Sequence, residues 1–352
     1  MGALFFGIPL VLVGCEAPSS VPAFAYTGAV VAVQGGSALA LLDDSGALTT
    51  TLDLTSEVAG RAIPWMVHNV QITPDARSVL ATAMPPMDAD GAYNDVPDAL
   101  VIVDLQTLGV RRCTLDFGLG AAHVVTDGMR AYITAYDQDR VVVVELERCG
   151  TVARWPLPAG VGPHGLRRSV DGEVLFVAGL DGAALLEVDT RSGDVTSWDL
   201  PGQAVQVAVL PDGSAVWVTL LDTRQVARLD LDTEEIAVFD LPVSAVGPAQ
   251  IYPSPDSGSV WVADQGQPGE AAVGRELFEI HATSGAVLQQ VTVDEAPHGV
   301  VVSADGAVVW ATTLTFGVVA RVDARTGARL GSEPVGDEPN GISVATEGGV
   351  SP

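Results

Sequence analysis

Short apolar runs rich in Val, Ala and Leu alternate with Asp-Gly, Ser-Gly and Thr-x-Gly turns along nearly the whole chain. Such dipeptides punctuate strands through turns that need φ > 0. The β-branched and aromatic content of the runs suits strands, and no segment carries a helical period of useful length. The runs recur as a unit. The segment PHGLRRSVDGEVLFVAGLDGAALLEVDTRSGDVTSWDLP from Pro163 matches PHGVVVSADGAVVWATTLTFGVVARVDARTGARLGSEPV from Pro297 without a gap through three strands. Further copies open near Val67, Gly120, Ala204 and Pro248, and an incomplete one opens at Pro339.

Each unit reads as strand, DG-type turn, strand, loop, strand ending in an acid, T-x-G-like turn, strand. Four strands in roughly 40–45 residues describe a propeller blade. Seven openings predict seven blades. The last copy holds only a first strand, and the missing three lie at the other end of the chain. GAVVAVQGG from Gly28, SALALLDDSGA from Ser37 and LTTTLDL from Leu48 match a second, third and fourth strand. The expected fold is an all-β, seven-bladed β-propeller over residues 28–348, with blade 7 made of 28–55 plus 339–348. Closing the ring this way removes free strand edges.

The P-H/N-G, S-x-D-G, W-V-x and V-D-x-x-T-G elements resemble those of the YVTN-type seven-bladed propellers, including the YncE-like proteins. They are also similar to the streptogramin B lyase propellers. The resemblance covers about residues 28–348 and speaks for fold far more than for activity, since one fold hosts many functions. The lyase resemblance would imply a His/Glu acid–base pair with Mg²⁺. Here Trp217-Val-Thr-Leu, Trp261-Val-Ala-Asp and Trp310-Ala-Thr-Thr stand where that family has a run ending in Glu. The remaining catalytic candidates are Asp264 and His298, on neighbouring blades.

The chain has 352 residues and a formal charge of -27, and its basic residues are all arginine. No basic face is available for phosphates, so a nucleic-acid partner is not expected. A Schiff-base or P-loop lysine is excluded, and so is an attached c-type haem, for want of CxxCH. The excess of acid favours cations or basic partners. At the start, Ala3 to Val13 is apolar and ends in Leu12-Val13-Gly14-Cys15. That resembles a bacterial lipobox, although no Lys or Arg precedes the apolar run. The expectation is a signal segment over 1–14, a lipid-bearing Cys15, a tether over 15–27 and an address in the cell envelope, with membrane contact only through the lipid. A monomer is expected, with an envelope protein or a small ligand as partner. Setting Cys15 aside leaves Cys113 and Cys149, an even pair suited to one disulfide in an oxidising compartment.

Ligands of propellers are expected where first strands enter the central channel. The residue after each blade opening gives His68, His164, Val205, Ala249, His298 and Asn340. In blade 2, gap-free counting gives Gly120, while a shorter strand gives His123. His281 falls on a third strand, apart from the others. Converging neutral imidazoles are ligands for Cu or Zn, and His68, His123, His164 and His298 are the candidates. Second-strand ends carrying Asp137, Asp139, Asp181, Asp222 and Asp264 are expected on the same face, beside two long loops. One of these loops offers Asp88, Asp90, Asn94, Asp95 and Asp98, oxygen ligands for Ca²⁺ (or, less suited, Mg²⁺) without EF-hand spacing. Trp217, Trp261 and Trp310, with Phe176 and Tyr132 equivalent, form an expected inter-blade packing column. Glu145, Glu187, Asp189, Asp230 and Asp323 are expected to brace turns. The overall expectation is a non-catalytic binding or scaffold protein with its ligand face at the channel mouth. Metal binding through the histidines is the alternative, and a lyase-like or lactone-hydrolysing enzyme is a further one.

Overall fold

Seven four-stranded antiparallel sheets form a β-propeller in the computed structural model, which describes residues 25–86, 93, 95–116, 118–267 and 272–345. Innermost strands are Met66–Ile72, Ala121–Thr126, Pro163–Arg168, Ala204–Val209, Pro248–Pro253, Pro297–Val302 and Pro339–Val344, in blades 1 to 7. Blade 7 is closed as the repeat pattern requires. Pro339–Val344 pairs with Ala29–Val33, followed outward by Ala38–Leu42 and Leu48–Asp53. A small hairpin, Ser56–Val58 with Arg61–Ile63, joins blade 7 to blade 1 and had no signal in the repeat.

Burial explains the sequence pattern. Strands such as Ala204–Val209 and Ala215–Leu220 are buried throughout, because blades press on both faces. They therefore read as continuous apolar runs. Outermost strands such as Arg329–Pro334 are more exposed and more polar. The aromatic column packs between blades as expected. Trp217 lies among Ile251, Val260 and Phe278 of blade 5, and Trp261 among Val300, Val302 and Val309 of blade 6. Phe176 and Tyr132 fill the equivalent seams toward blades 4 and 3.

In every blade the pairing of first and second strands slips by one residue just after the opening, as between Pro163↔Gly179 and Leu166↔Val177. Such bulges re-aim side chains at rims. Four blades fill the slip with a threonine. Thr82, Thr134, Thr219 and Thr312 each accept an N–H from their own first strand, at Asn69, His123, Gln206 and Gly299. Each hydroxyl then donates to a carbonyl of the next blade, at Ala122, His164, Ala249 and Asn340. These clips lock neighbouring blades at the height of the mouth. Thr219→Val should cost about 2 kcal/mol, since it strands a buried N–H and a buried carbonyl. Urea unfolding of the two proteins checks this, and equal midpoints would mean the clip adds nothing.

Cys113 and Cys149 are bonded, with Cα atoms 4.8 Å apart. The bridge ties the outer strand of blade 1 to the turn before the outer strand of blade 2. Its removal in Cys113→Ala/Cys149→Ala should cost about 2–4 kcal/mol. A melting curve unchanged by reductant would contradict this.

The turn-bracing acids divide. Asp189 Oδ1 accepts the N–H groups of Arg191 and Ser192, and Asp230 and Asp323 act alike on their own turns. Glu187 does not: it pairs in mid-strand opposite Phe176 and Thr196, where burial raises its carboxyl pKa. Among the described residues, Glu145 makes a long 4.0 Å ion pair with Arg148 and braces no turn. In blade 5, His281 takes the aspartate's place, and its Nδ1 accepts from Thr283 and Ser284 N–H. That accounts for the fifth histidine structurally.

Candidate metal centre at the channel mouth

The bulge turns the residue that follows each opening pair (after Val67 in blade 1, Ala121 in blade 2, Pro163 in blade 3 and their equivalents) into the channel. The register makes that layer His68, Ala122, His164, Val205, Ala249, His298 and Asn340. Blade 2 corrects both sequence counts. Ala121 pairs with Ala135 as Pro163 pairs with Gly179, so the mouth residue is Ala122, two beyond Gly120. The cause is a shorter hairpin. Val125 pairs with Tyr132, whereas Arg167 pairs with Phe176. His123 sits one layer deeper, level with Asn69, Gly165, Gln206, Gln250, Gly299 and Gly341. Three glycines in that layer bring neighbouring backbones close together. A Cβ on Gly165 would lie 2.7 Å from Gln206 Cα, and one on Gly341 would lie 2.9 Å from Asn69 Cα.

Depth does not remove His123 from the group. The His68 ring centroid is 5.5 Å from that of His123, 5.6 Å from His164 and 6.4 Å from His298, and His123 is 4.7 Å from His164. One ring nitrogen from each of His68, His123 and His164 falls within 4.8 Å of the others. Nitrogens sharing a tetrahedral ion at about 2.1 Å stand roughly 3.4 Å apart, so the rings would close by an ångström or so to take one. The rest of the mouth is a recess of about 460 Å³, walled on its other arc by Leu180, Val205, Leu221, Ala249 and Leu314.

Hydrogen bonds set the tautomers. His68 Nδ1 faces Gln34 Oε1 at 3.2 Å, His164 Nδ1 faces the Val205 carbonyl at 2.9 Å, and His298 Nδ1 faces Gln265 Oε1 at 2.7 Å. The Val205 carbonyl can only accept, so His164 carries its proton on Nδ1 and turns an Nε2 lone pair to the channel. Gln34 Oε1, nearer to His68 Nδ1 than the Asn340 Nδ2 donor at 3.4 Å, and Gln265 Oε1 favour the same tautomer for His68 and His298, the arrangement in which metal-binding histidines are held. Among the described residues, Nε2 of His68 and of His298 is buried with no hydrogen-bond partner. His123 is set the other way. Gln206 Oε1 accepts from Val207 N–H, so its Nε2 is the atom that donates to His123 Nδ1. The His123 proton is thereby held on Nε2, itself unpartnered.

All four imidazoles are neutral near pH 7. Burial pushes His68 and His123 well below the ordinary histidine range, and their neighbouring imidazoles push the same way. Burial and His164 lower His298 to about 4. His164 is lowered by burial, against its bond to Val205.

The acidic candidates are not brought to the imidazoles. Gly160 and Gly162 N–H donate to Asp139, Tyr136 OH donates to Asp181, and Gln203 N–H donates to Asp222. Asp137 stands beside Gly120, in the short turn Tyr136–Gln138. Asp264 is fully buried and accepts from Val246 and Gly247 N–H, while His298 takes Gln265 instead. Side chains at or just after the ends of the second strands do line the mouth, but they are Gln34, Leu180, Leu221, Gln265 and Leu314. Gln34 Oε1 also accepts from Asn340 Nδ2 at 2.9 Å within blade 7, so through its contact with His68 it joins blades 7 and 1. Of the acidic loop, Asp95 pairs with Arg61, whereas Asp98 accepts Ala121 N–H and burial raises its pKa to about 6. These two do not share a ligand position. Asp88, Asp90 and Asn94 lie outside the described residues, as does Cys15.

The glutamines escaped the sequence reading, yet a signal was present. Gln34 and Gln265 break a column that elsewhere holds Met84, Tyr136, Leu180, Leu221 and Leu314.

No family model matches this chain, and no curated protein matches its sequence. Solved structures do match in fold, and they are seven-bladed propellers. Virginiamycin B lyase from Staphylococcus aureus is similar at 15% identity and TM-score 0.64, over 80% of this chain and 92% of that one. Hydrazine synthase from Kuenenia stuttgartiensis reaches 17% and 0.65, over 80% and 90%. A protein of unknown function from Desulfotomaculum acetoxidans reaches 13% and 0.68, over 91% and 99%.

Proposed function

We propose that this protein is a non-catalytic binding propeller of the bacterial envelope, and that its mouth takes a borderline transition ion, Cu or Zn. The observation that carries this reading is the convergence of His68, His123 and His164 within 4.8 Å, joined by His298 across the mouth. Three features support it. The imidazoles are neutral, the form in which they ligate. His68, His164 and His298 have Nδ1 anchored, so Nε2 is free for an ion. The chain's charge of -27 draws cations toward the surface. His123 becomes a ligand through Nε2 once the Gln206 amide turns to accept its Nδ1–H. The envelope address rests on the Leu12-Val13-Gly14-Cys15 pattern.

The enzymatic reading finds less support. The Asp264 carboxylate is taken up by backbone N–H groups and has no bond to His298, so a base–acid pair there would need both groups to leave their partners.

The test is elemental analysis of protein made without a histidine tag, stripped by chelator and dialysed against Cu, Zn, Ca and Mg. The reading expects close to one Cu or Zn per chain. Ca alone, or no retained metal, would overturn it.

A further inference from the structure

Below the histidine layer the channel narrows to a cavity of about 10 Å³, room for one water-sized species. Its polar lining is Asn69, Gln71, Arg167, Gln250, Tyr252 and Ser343, with no carboxylate. Arg167 is 9% exposed. One of its Nη groups donates to the Leu166 carbonyl at 2.9 Å, while its Nε is buried without a partner. Among the described residues it makes no ion pair. Gln250 is 6% exposed. Its Oε1 accepts from Gln206 Nε2 at 2.8 Å, and its own Nε2 is left without a partner.

A guanidinium does not shed its proton in a protein. A buried, unpaired charge is strongly unfavourable, so the folded state needs a counter-charge. The described residues supply none here. Two buried groups with unused N–H donors, one of them cationic, line a cavity too small for sulfate or phosphate. We propose that this cavity is a binding site for a single halide-sized monovalent anion, held by Arg167 and Gln250. The site stands on its own donors and does not depend on metal at the mouth.

The full chain is melted in sodium chloride, bromide, gluconate and sulfate at equal ionic strength, beside Arg167→Met. Chloride and bromide should raise Tm saturably, by roughly 2–5 °C, and gluconate and sulfate should not. Arg167→Met should lose the difference. Equal shifts in all four salts, or a chloride shift that survives Arg167→Met, would overturn the proposal. Should Arg167→Met fail to fold, crystals of the unaltered chain soaked in bromide decide the matter. An anomalous peak against the Arg167 guanidinium supports the site, and ordinary water density there overturns it.

Discussion

His68→Ala/His164→Ala should abolish stoichiometric Cu or Zn binding while leaving the propeller folded. Losing even an outer-shell partner of a metal site weakens binding by about 10–100-fold, so losing two ligands should exceed about 100-fold. Both side chains are partly exposed at the mouth, and neither fills the inter-blade core. The blade-locking bonds near them use the Thr82 and Thr134 hydroxyls and backbone groups, which the substitutions keep. Equilibrium dialysis with a competing chelator gives the affinity, and circular dichroism checks the fold. Gln206→Ala separates the roles further. It frees His123 Nδ1, and it should change affinity only if His123 is a ligand. Unaltered metal binding in the double variant would sink the site.

The second large effect is on acid stability. His298 has a pKa of about 4 when folded, against about 6.5 in the unfolded chain. Between those values the unfolded chain binds the extra proton, so stability falls as pH drops from about 6.5 toward 4. This one group accounts for about 3 kcal/mol across that window. His68, His123 and His164 act in the same direction. Asp98 and Asp264 act in the opposite one. Burial raises their pKa, so their protonation on acidification relieves a cost. The comparison of unaltered protein with His298→Leu isolates the histidine. The stability difference between the two should shift by about 3 kcal/mol from pH 7 to 4, with the unaltered protein losing more. Urea titrations at several pH values measure this. A pH-independent difference would mean that His298 titrates as it does in water.

The blades were legible because their turns repeat chemically: each needs φ > 0 or a side-chain cap, and such needs limit the residues allowed. The mouth column was legible for the same reason wherever the hairpin had constant length. It failed in blade 2 because the Asp127-Gly128 turn lacks two residues, and a fixed offset then points to Gly120 instead of Ala122. Asp264 misled for a related reason. It stands level with Gly179 and Leu220, inside the paired strand, and not with Asp181 and Asp222 beyond it. Arg167 carried no visible sign. Its column holds Gln71, Val125, Ala208, Tyr252, Val301 and Ser343 in the other blades, so only the closed ring puts its charge beside a cavity that no described carboxylate lines.

The most direct measurement is anomalous diffraction at the Cu and Zn edges from crystals of chelator-stripped protein reloaded with each metal. The account predicts a peak at the channel mouth, within bonding distance of nitrogens from His68, His164 and at least one of His123 and His298. A peak elsewhere, or none in metal-loaded crystals, would contradict it.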